Sequence, residues 1–342
     1  VLRFILRRLA TVVLQLAGIT LFVFFLIRLM PADPIAQMVG SDGSIEARQQ
    51  VAHQLGLDRS LLQQLANFVG VFSDSGKPGL LQGDLGTSWV SNTLVTTEIL
   101  RDLPVTLEIV TYALLVSFLI ALPLGLAAAR KPGGVADRVT LVWGMFAGAQ
   151  PDYWWGLLFV FVFFFLLNIA PPPMGRIGPL YTPPYEITGF ITIDTLLEGH
   201  VDEWFSALYY LTLPVLTLVF VISGALVKMV RTNTMRAMQS DYILYARASG
   251  LPSRLVARYA VRAALTPAIT LIGIFYGVLL SAAVTVEVVF SLDGIGQYAI
   301  RSVLAFDYPA IQGVVLVVAA VSLLIYLLLD IVHAFLDPRI QT

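Results

Sequence analysis

The sequence contains no cysteine, only 3 histidines, and charged residues at just 13% of its 342 positions. The first absence excludes disulfides, thiolate metal sites and cysteine nucleophiles. The histidines His53, His200 and His333 are far apart, and no Ser/His/Asp spacing of a recognisable hydrolase surrounds them. No Gly-x-x-x-x-Gly-Lys-[Ser/Thr] run occurs, so the chain carries no phosphate-binding loop of that kind. The shortage of charge, about half the share usual in soluble domains, is also uneven. Residues 9–27, 109–129, 153–175, 204–227, 263–286 and 308–329 carry none.

Each of these runs reaches the roughly 18–20 residues that a helix needs to cross about 30 Å of hydrocarbon. The expected fold class is therefore an all-α integral membrane protein with six transmembrane helices. The spans are placed near 9–29, 105–129, 139–168, 206–229, 266–289 and 309–333, in one membrane domain covering 1–342. Residues 139–151 are uncharged but too short to cross alone. They read as the inner part of a long third helix, with Pro151 as the place for any bend. Arg3, Arg7 and Arg8 precede the first run, and no small-residue cleavage site follows it, which favours a retained span over a removed leader.

Charge also orients the spans. Arg3, Arg7, Arg8, Arg130, Lys131, Arg138, Lys228, Arg231, Arg236, Arg247, Arg254, Arg258, Arg262 and Arg339 fall on one side of the expected topology. The acids there are Asp137, Asp241, Asp330 and Asp337. The positive-inside rule then puts both termini in the cytoplasm. It leaves 31–103 and 169–205 as extracytoplasmic segments. The first shows helical spacing over 45–55, stopped at Gly56, and over 60–72, stopped by Asp74 and Gly76. The second is dense in proline and aromatic residues, as expected of a folded loop over the bundle.

Residues 231–265 form the cytoplasmic loop. Ser240 and Asp241 suit a helix N-cap, 242–249 make about two turns, and Gly250 suits a left-handed stop. Pro252 ends the segment, Ser253 is placed to cap again, and 254–265 reads as a second helix leading to Pro267. Tyr242, Tyr245, Ala246 and Ser249 share one face of the short helix, with Arg247 elsewhere. Such a helix is marginal alone. A flat face of small residues and tyrosine ringed by arginines suits a groove on another protein, and the alternative is a helix lying on anionic headgroups.

The segment Tyr245-Ala-Arg-Ala-Ser-Gly-Leu251 resembles the inner-loop motif of binding-protein-dependent importer permeases, in particular the first permease of dipeptide, oligopeptide and nickel importers. Ser249 stands where that family commonly has lysine, and Leu244, Tyr245 and Ala246 replace a glutamate and paired alanines. Further matches run in order along the chain: Leu2-Arg-Phe-Ile-Leu-Arg-Arg-Leu9, Leu55-Gly-Leu-Asp-Arg59, Gly83-Asp-Leu-Gly-Thr-Ser88, Leu103-Pro-Val-Thr-Leu-Glu108, Asp307-Tyr-Pro-Ala-Ile-Gln-Gly313 and Leu336-Asp-Pro-Arg-Ile340. The resemblance implies a type I importer-like permease fold in a bacterial inner membrane. It implies a short coupling helix, here Tyr242, Tyr245, Ala246, Ala248, Ser249 and Gly250, that docks on an ATPase. It also implies a second homologous permease, two ATP-binding subunits that hold the ATP and magnesium, and an external solute-binding protein. By the same resemblance this chain binds no cofactor or nucleic acid, and the cargo is peptide-like, with glutathione or nickel chelates as family variants.

An ion-coupled secondary transporter would need buried charge in several spans, and an intramembrane protease would need a catalytic constellation. Only Glu287, near the outer end of the fifth span, is clearly an acid at depth. Acids there are costly and face a bundle interior or cavity. It either lines the path or outer gate, or it anchors the loop 291–296. Asp152 reads as an interfacial or capping residue, and Tyr153, Trp154 and Trp155 as helix packing or an aromatic belt. Gly83, Asp84 and Gly86, together with Gly294 and Gly296, are expected to serve tight backbone geometry.

Overall fold

The computed structural model describes residues 2–29, 34–40, 44–71 and 78–336, without the side chains of 2–4, 37, 257, 262–270 and 333–336. The His333 side chain, the expected stop at Asp74 and Gly76, and most of the final motif lie outside the described residues.

The apolar runs fold as helices that outlast them. In chain order these are α1 (Leu2–Leu29), α2 (Pro34–Val39), α3 (Ile45–Leu55), α4 (Leu61–Val69), α5 (Val95–Arg130), α6 (Val135–Ala147) and α7 (Asp152–Phe159). Then follow α8 (Ile191–Leu197), α9 (Val201–Met238), α10 (Asp241–Ala248), α11 (Ser253–Phe290), α12 (Ile295–Leu304) and α13 (Tyr308–Leu336). Five of them, α1, α5, α9, α11 and α13, are long and apolar enough to cross a membrane, and α6 with α7 makes a sixth if that pair is one span.

Three expected boundaries are refined. The third run does bend just before α7, at the place Pro151 offered, but so sharply that α6 and α7 are separate helices meeting at 105°. Gly148 closes α6, and Pro151, which has no N–H to give, sits in an extended conformation just before α7. The helix then widens to π geometry over Val160–Leu166. Second, α5 begins at Val95 and carries Pro104 and Pro123 internally, so the last part of the segment 31–103 is already helix. Third, α9 reaches Met238 and α11 starts at Ser253, so most of 231–265 is helix and Pro267 ends nothing. Where neighbouring helices re-satisfy the freed backbone groups, a membrane helix tolerates proline.

The local stops follow their cap chemistry. The Ser44 hydroxyl accepts from the Ala47 amide, and α3 ends on Gly56 at φ 67°. Ser60 and Gln63 form a capping box for α4. That helix ends at Gly70, with φ 83°, rather than running on to residue 72.

The chain divides into two compact units, Pro104–Gly296 with Ile325 onward, and Leu2–Leu103 with Gln297–Leu324. In the first, α9 is central, with 67% of its apolar window buried. Its Leu218, Ile222 and Leu226 pack with Ile109 and Val110 of α5 and with Leu279, Ala283 and Val286 of α11. Glycine permits the closest crossings: a Cβ on Gly224 would lie 2.9 Å from the Gly144 Cα, and one on Gly125 would lie 2.7 Å from Val230. Small residues at such crossings are the usual means of close helix approach in lipid. Asp137, buried on α6, accepts from Arg231 of α9 and, at 2.7 Å, from the Gly133 amide.

In the second unit, Val23 and Ile27 of α1 pack with Tyr308, whose ring lies 5.0 Å from that of Trp89. Arg28 lies 3.5 Å over the Phe24 ring and donates to Gln64 of α4 at 2.8 Å. On the exposed turn after α3, His53 bonds Asp58 at 2.7 Å, a contact that holds the Asp58 carboxyl below its usual range.

Gly224→Val should force α6 and α9 apart and destabilise the protein by about 1–3 kcal/mol, the usual cost of overpacking. Gly18→Ala, where nothing lies within 4 Å, should leave thermal melting of the purified protein unchanged.

Candidate functional site

Sequence singles out the segment after α9. There, Ser240 occupies the N-cap position of α10, but its hydroxyl donates back to the Ala237 carbonyl at 2.5 Å and caps no amide. Ser253 does not cap either, because it is already the first residue of α11, after Pro252. The stop at Gly250 has φ 72°. The Leu251 amide reaches the Ala246 carbonyl at 3.1 Å, and the Gly250 amide reaches Arg247 at 3.0 Å. These two bonds make a Schellman closure.

The face expected to dock is corrected in one residue. Ala246 is buried and packs, with fully buried Ile243, against Ala237 of α9 and Val256 and Ala260 of α11. Ile243 and Ala246 are three apart, so they form the inward stripe of the helix. The outward surface holds Tyr242, Leu244, Tyr245, Arg247, Ala248 and Ser249, with Tyr245 76% exposed. Tyr242, Tyr245 and Ser249 remain aligned on it at helical spacing. Thus α10 is fixed on one side to the ends of two long helices and presents tyrosines on the other.

A second constellation lies at the start of the membrane part of α5. The Thr106 hydroxyl donates to Glu287 at 2.5 Å and accepts from the Ile295 amide at 2.9 Å. Glu287 is fully buried, and Thr106 links its carboxylate to the 291–296 loop, which is the loop-anchoring arrangement. Gly294 and Gly296 have no left-handed backbone. Their role is room, since a Cβ on Gly294 would stand 2.5 Å from both carboxylate oxygens, and one on Gly296 would stand 2.6 Å from the Val284 Cα.

Two residues on, Glu108 is also fully buried. It accepts from the Thr192 amide at 3.0 Å and hydroxyl at 2.6 Å, and from Arg176 at 3.0 Å. Arg176 donates as well to the Gly189 carbonyl at 3.0 Å. The proline-rich loop 168–190 and α8 are thereby tied to α5. Sequence reasoning passed over Glu108 and Arg176. The available signal was an acid bordering an uncharged run, with a basic residue alone in a loop rich in proline.

Two other motifs meet in the second unit. Asp307 accepts from the Ser88 hydroxyl at 2.5 Å, the Trp89 amide at 3.2 Å and the Ala310 amide at 3.3 Å, so it also caps α13. Gly83 and Gly86 have φ 81° and 91°, and the Asp84 carboxylate accepts from the Gly86 amide at 2.8 Å. A Cβ on Gly313 would lie 2.5 Å from Val95. The motif residues thus hold segments together, and none is arranged for covalent chemistry. Asp152 lies in the first turn of α7, and Trp155 packs on Phe220 at 4.2 Å, as helix packing requires.

Residues 121–342 match the family described as binding-protein-dependent transport system inner membrane component, and residues 1–110 match its N-terminal membrane component. The chain belongs to this family. It is similar to "Probable D,D-dipeptide transport system permease protein DdpB" of Escherichia coli K12, at 37% identity over 96% of this chain and 94% of that protein. It is also similar to the di/tripeptide transport system permease DppB of Pseudomonas aeruginosa UCBPP-PA14, at 36% identity over 99% of each. The dipeptide transport system permease DppB of Escherichia coli K12 is 33% identical over 99% of each. The chain is therefore a multi-pass inner-membrane permease subunit of an ATP-driven importer, and the ATPase of such a system is a separate subunit.

Gly294→Ala should push the loop of this permease off Glu287 and lower its stability by roughly 1–3 kcal/mol. Glu287→Gln keeps an oxygen for Thr106 and should melt close to wild type, whereas Glu287→Ala should melt lower than either. Equal melting of all three would remove the anchoring role.

Proposed function

We propose that this permease imports peptides of a few residues as one half of a heterodimeric channel. Its partners are a second, homologous permease, two ATP-binding subunits that hold ATP and magnesium, and an extracytoplasmic solute-binding protein. Both termini and α10 lie in the cytoplasm, and residues 31–94 and 167–200 face outward. The relatives' names support the peptide cargo, and the distribution of lysine and arginine supports the orientation.

The observation that carries the mechanism is the two-sided character of α10. Ile243 and Ala246 seat it on α9 and α11, while Tyr242 and Tyr245 project away. A groove on an ATP-binding subunit that accepts the tyrosines can move α10. Because α9 and α11 also carry the buried core, the displacement is passed to the membrane part as a rigid-body shift. Rocking of such rigid helices gives alternating access. The sequence itself brings no phosphate-binding loop, so the energy enters through this surface.

The test is ATP hydrolysis stimulated by the binding protein, measured with ATPase retention in the reconstituted complex. Tyr245→Ala should weaken retention by about 2 kcal/mol, as truncation of an anchoring aromatic does. Ala248→Arg should do the same by obstruction. Gly250→Val forces a β-branched residue to φ 72° at a cost of about 1–2 kcal/mol and should also uncouple. Arg247→Gln should be mild. If instead loss of Arg247, Arg254 and Arg258 outweighs loss of the tyrosine, α10 lies on headgroups and the docking role fails. Ala246→Arg is uninformative here, since it disrupts the packing of α10 on its own chain.

Orientation has its own measurement, made easy by the cysteine-free sequence. Single cysteines at Gln63 and Arg254 should react with an impermeant maleimide from opposite sides, Gln63 from outside. Labelling of both from one side would overturn the topology.

A further inference from the structure

The sharp bend between α6 and α7 leaves a notch beside α9. It is a cavity of about 480 Å³ lined by Val139, Val142, Trp143, Phe146, Trp155 and Phe220, with Arg138 at its edge. That volume is in the range of small-molecule sites. Its walls offer almost no polar atoms to a ligand. The Trp143 indole N–H is already donated to Ser223 at 3.0 Å, and the Trp155 and Trp143 rings lie tilted against Phe220, with centroids 4.2 and 4.7 Å away. Val139, Val142 and Phe146 are exposed along the open side, which in a membrane is open to hydrocarbon and not to water.

Arg138 breaks the pattern. It is exposed, and it makes no ion pair among the described residues. The neighbouring Asp137 is already engaged, because its carboxylate is held by Arg231 and the Gly133 amide. Arg138 sits one turn inside the start of α6, shortly after Arg130 and Lys131. Side chains on a helix lean toward its N-terminus, so the guanidinium reaches back to the membrane surface while its stem lines the mouth of the notch. An apolar groove that ends in one unneutralised cation at headgroup level matches a phospholipid. The acyl chain fills the groove, and the phosphate meets the planar guanidinium, which pairs with phosphate through two parallel hydrogen bonds.

We propose that the α6–α7 notch is a binding site for an anionic phospholipid, with Arg138 on its phosphate and one acyl chain between Val142, Phe146 and Phe220.

The complete importer complex, reconstituted in phosphatidylethanolamine vesicles, would receive a trace of phosphatidylglycerol or phosphatidylcholine carrying a diazirine in one acyl chain. Photolabelling mapped by peptide mass spectrometry should fall on 139–155 and 220. Phosphatidylglycerol should exceed phosphatidylcholine by about fivefold, the value of one cation near an anionic surface. Arg138→Lys should keep most of that preference, Arg138→Gln should bring it near unity, and Val142→Trp should reduce labelling by both lipids by filling the groove. Labelling elsewhere, or a preference that survives Arg138→Gln, would overturn the site. So would a photoreactive residue at position 142 that crosslinks to the second permease, since the groove would then be a protein interface.

Discussion

A carboxylate in hydrocarbon is tolerable only where donors from the protein meet it, because there is no water to do so. The stretch 106–108 of α5 meets that condition on two sides of the helix. Thr106 bridges Glu287 and the Ile295 amide of the 291–296 loop, while Glu108 binds α8 and Arg176 of the proline-rich loop. These contacts join residues as many as 189 positions apart. The rest of the larger unit depends on them, since they tie α5 to the end of α11 and to α8, and α9 packs against both α5 and α11. The glycines at 294 and 296 are part of the same arrangement, as they leave the room that the carboxylate occupies.

At the other end of the unit the design is mechanical. A short helix with no independent stability is held by two apolar side chains to the extensions of α9 and α11. Those extensions are the same helices whose apolar middles form the core. A push on α10 therefore cannot be absorbed in a flexible loop. Between Met238 and Ser253 only 239–240 and 249–252 are not helical, and Gly250 fixes the second of these gaps in a closed turn. The relation between buried anchors at one end and an exposed tyrosine face at the other is what a coupled permease needs.

Much of this was legible in the sequence where the cause is local. The uncharged runs indicated the helical membrane class, and Gly56 and Gly250 marked their helix ends through cap chemistry alone. Periodicity failed where the answer depends on a distant partner. It could group Ala246 with Tyr242 and Tyr245, but not show that α9 and α11 cover Ala246. Ser240 and Ser253 have capping side chains, yet one donates backward and the other is already helical. Pro267 marked the expected end of a helical stretch and lies inside α11, because a membrane helix tolerates proline where its neighbours satisfy the freed backbone groups. Glu108 was hidden in plain view within a recognised motif, since a motif match names residues without saying what each one touches. The family resemblance supplied what no local rule could, the identity of the machine the chain serves.

The most direct test of the whole account is uptake of a labelled dipeptide into sealed vesicles containing this permease with the proposed second permease and ATP-binding subunits. Binding protein would be supplied on the outer face and ATP on the inner. The account predicts uptake that requires ATP hydrolysis and the binding protein and that is lost when this chain is omitted, with no response to an imposed proton or sodium gradient. Uptake driven by such a gradient in the absence of ATP would contradict it.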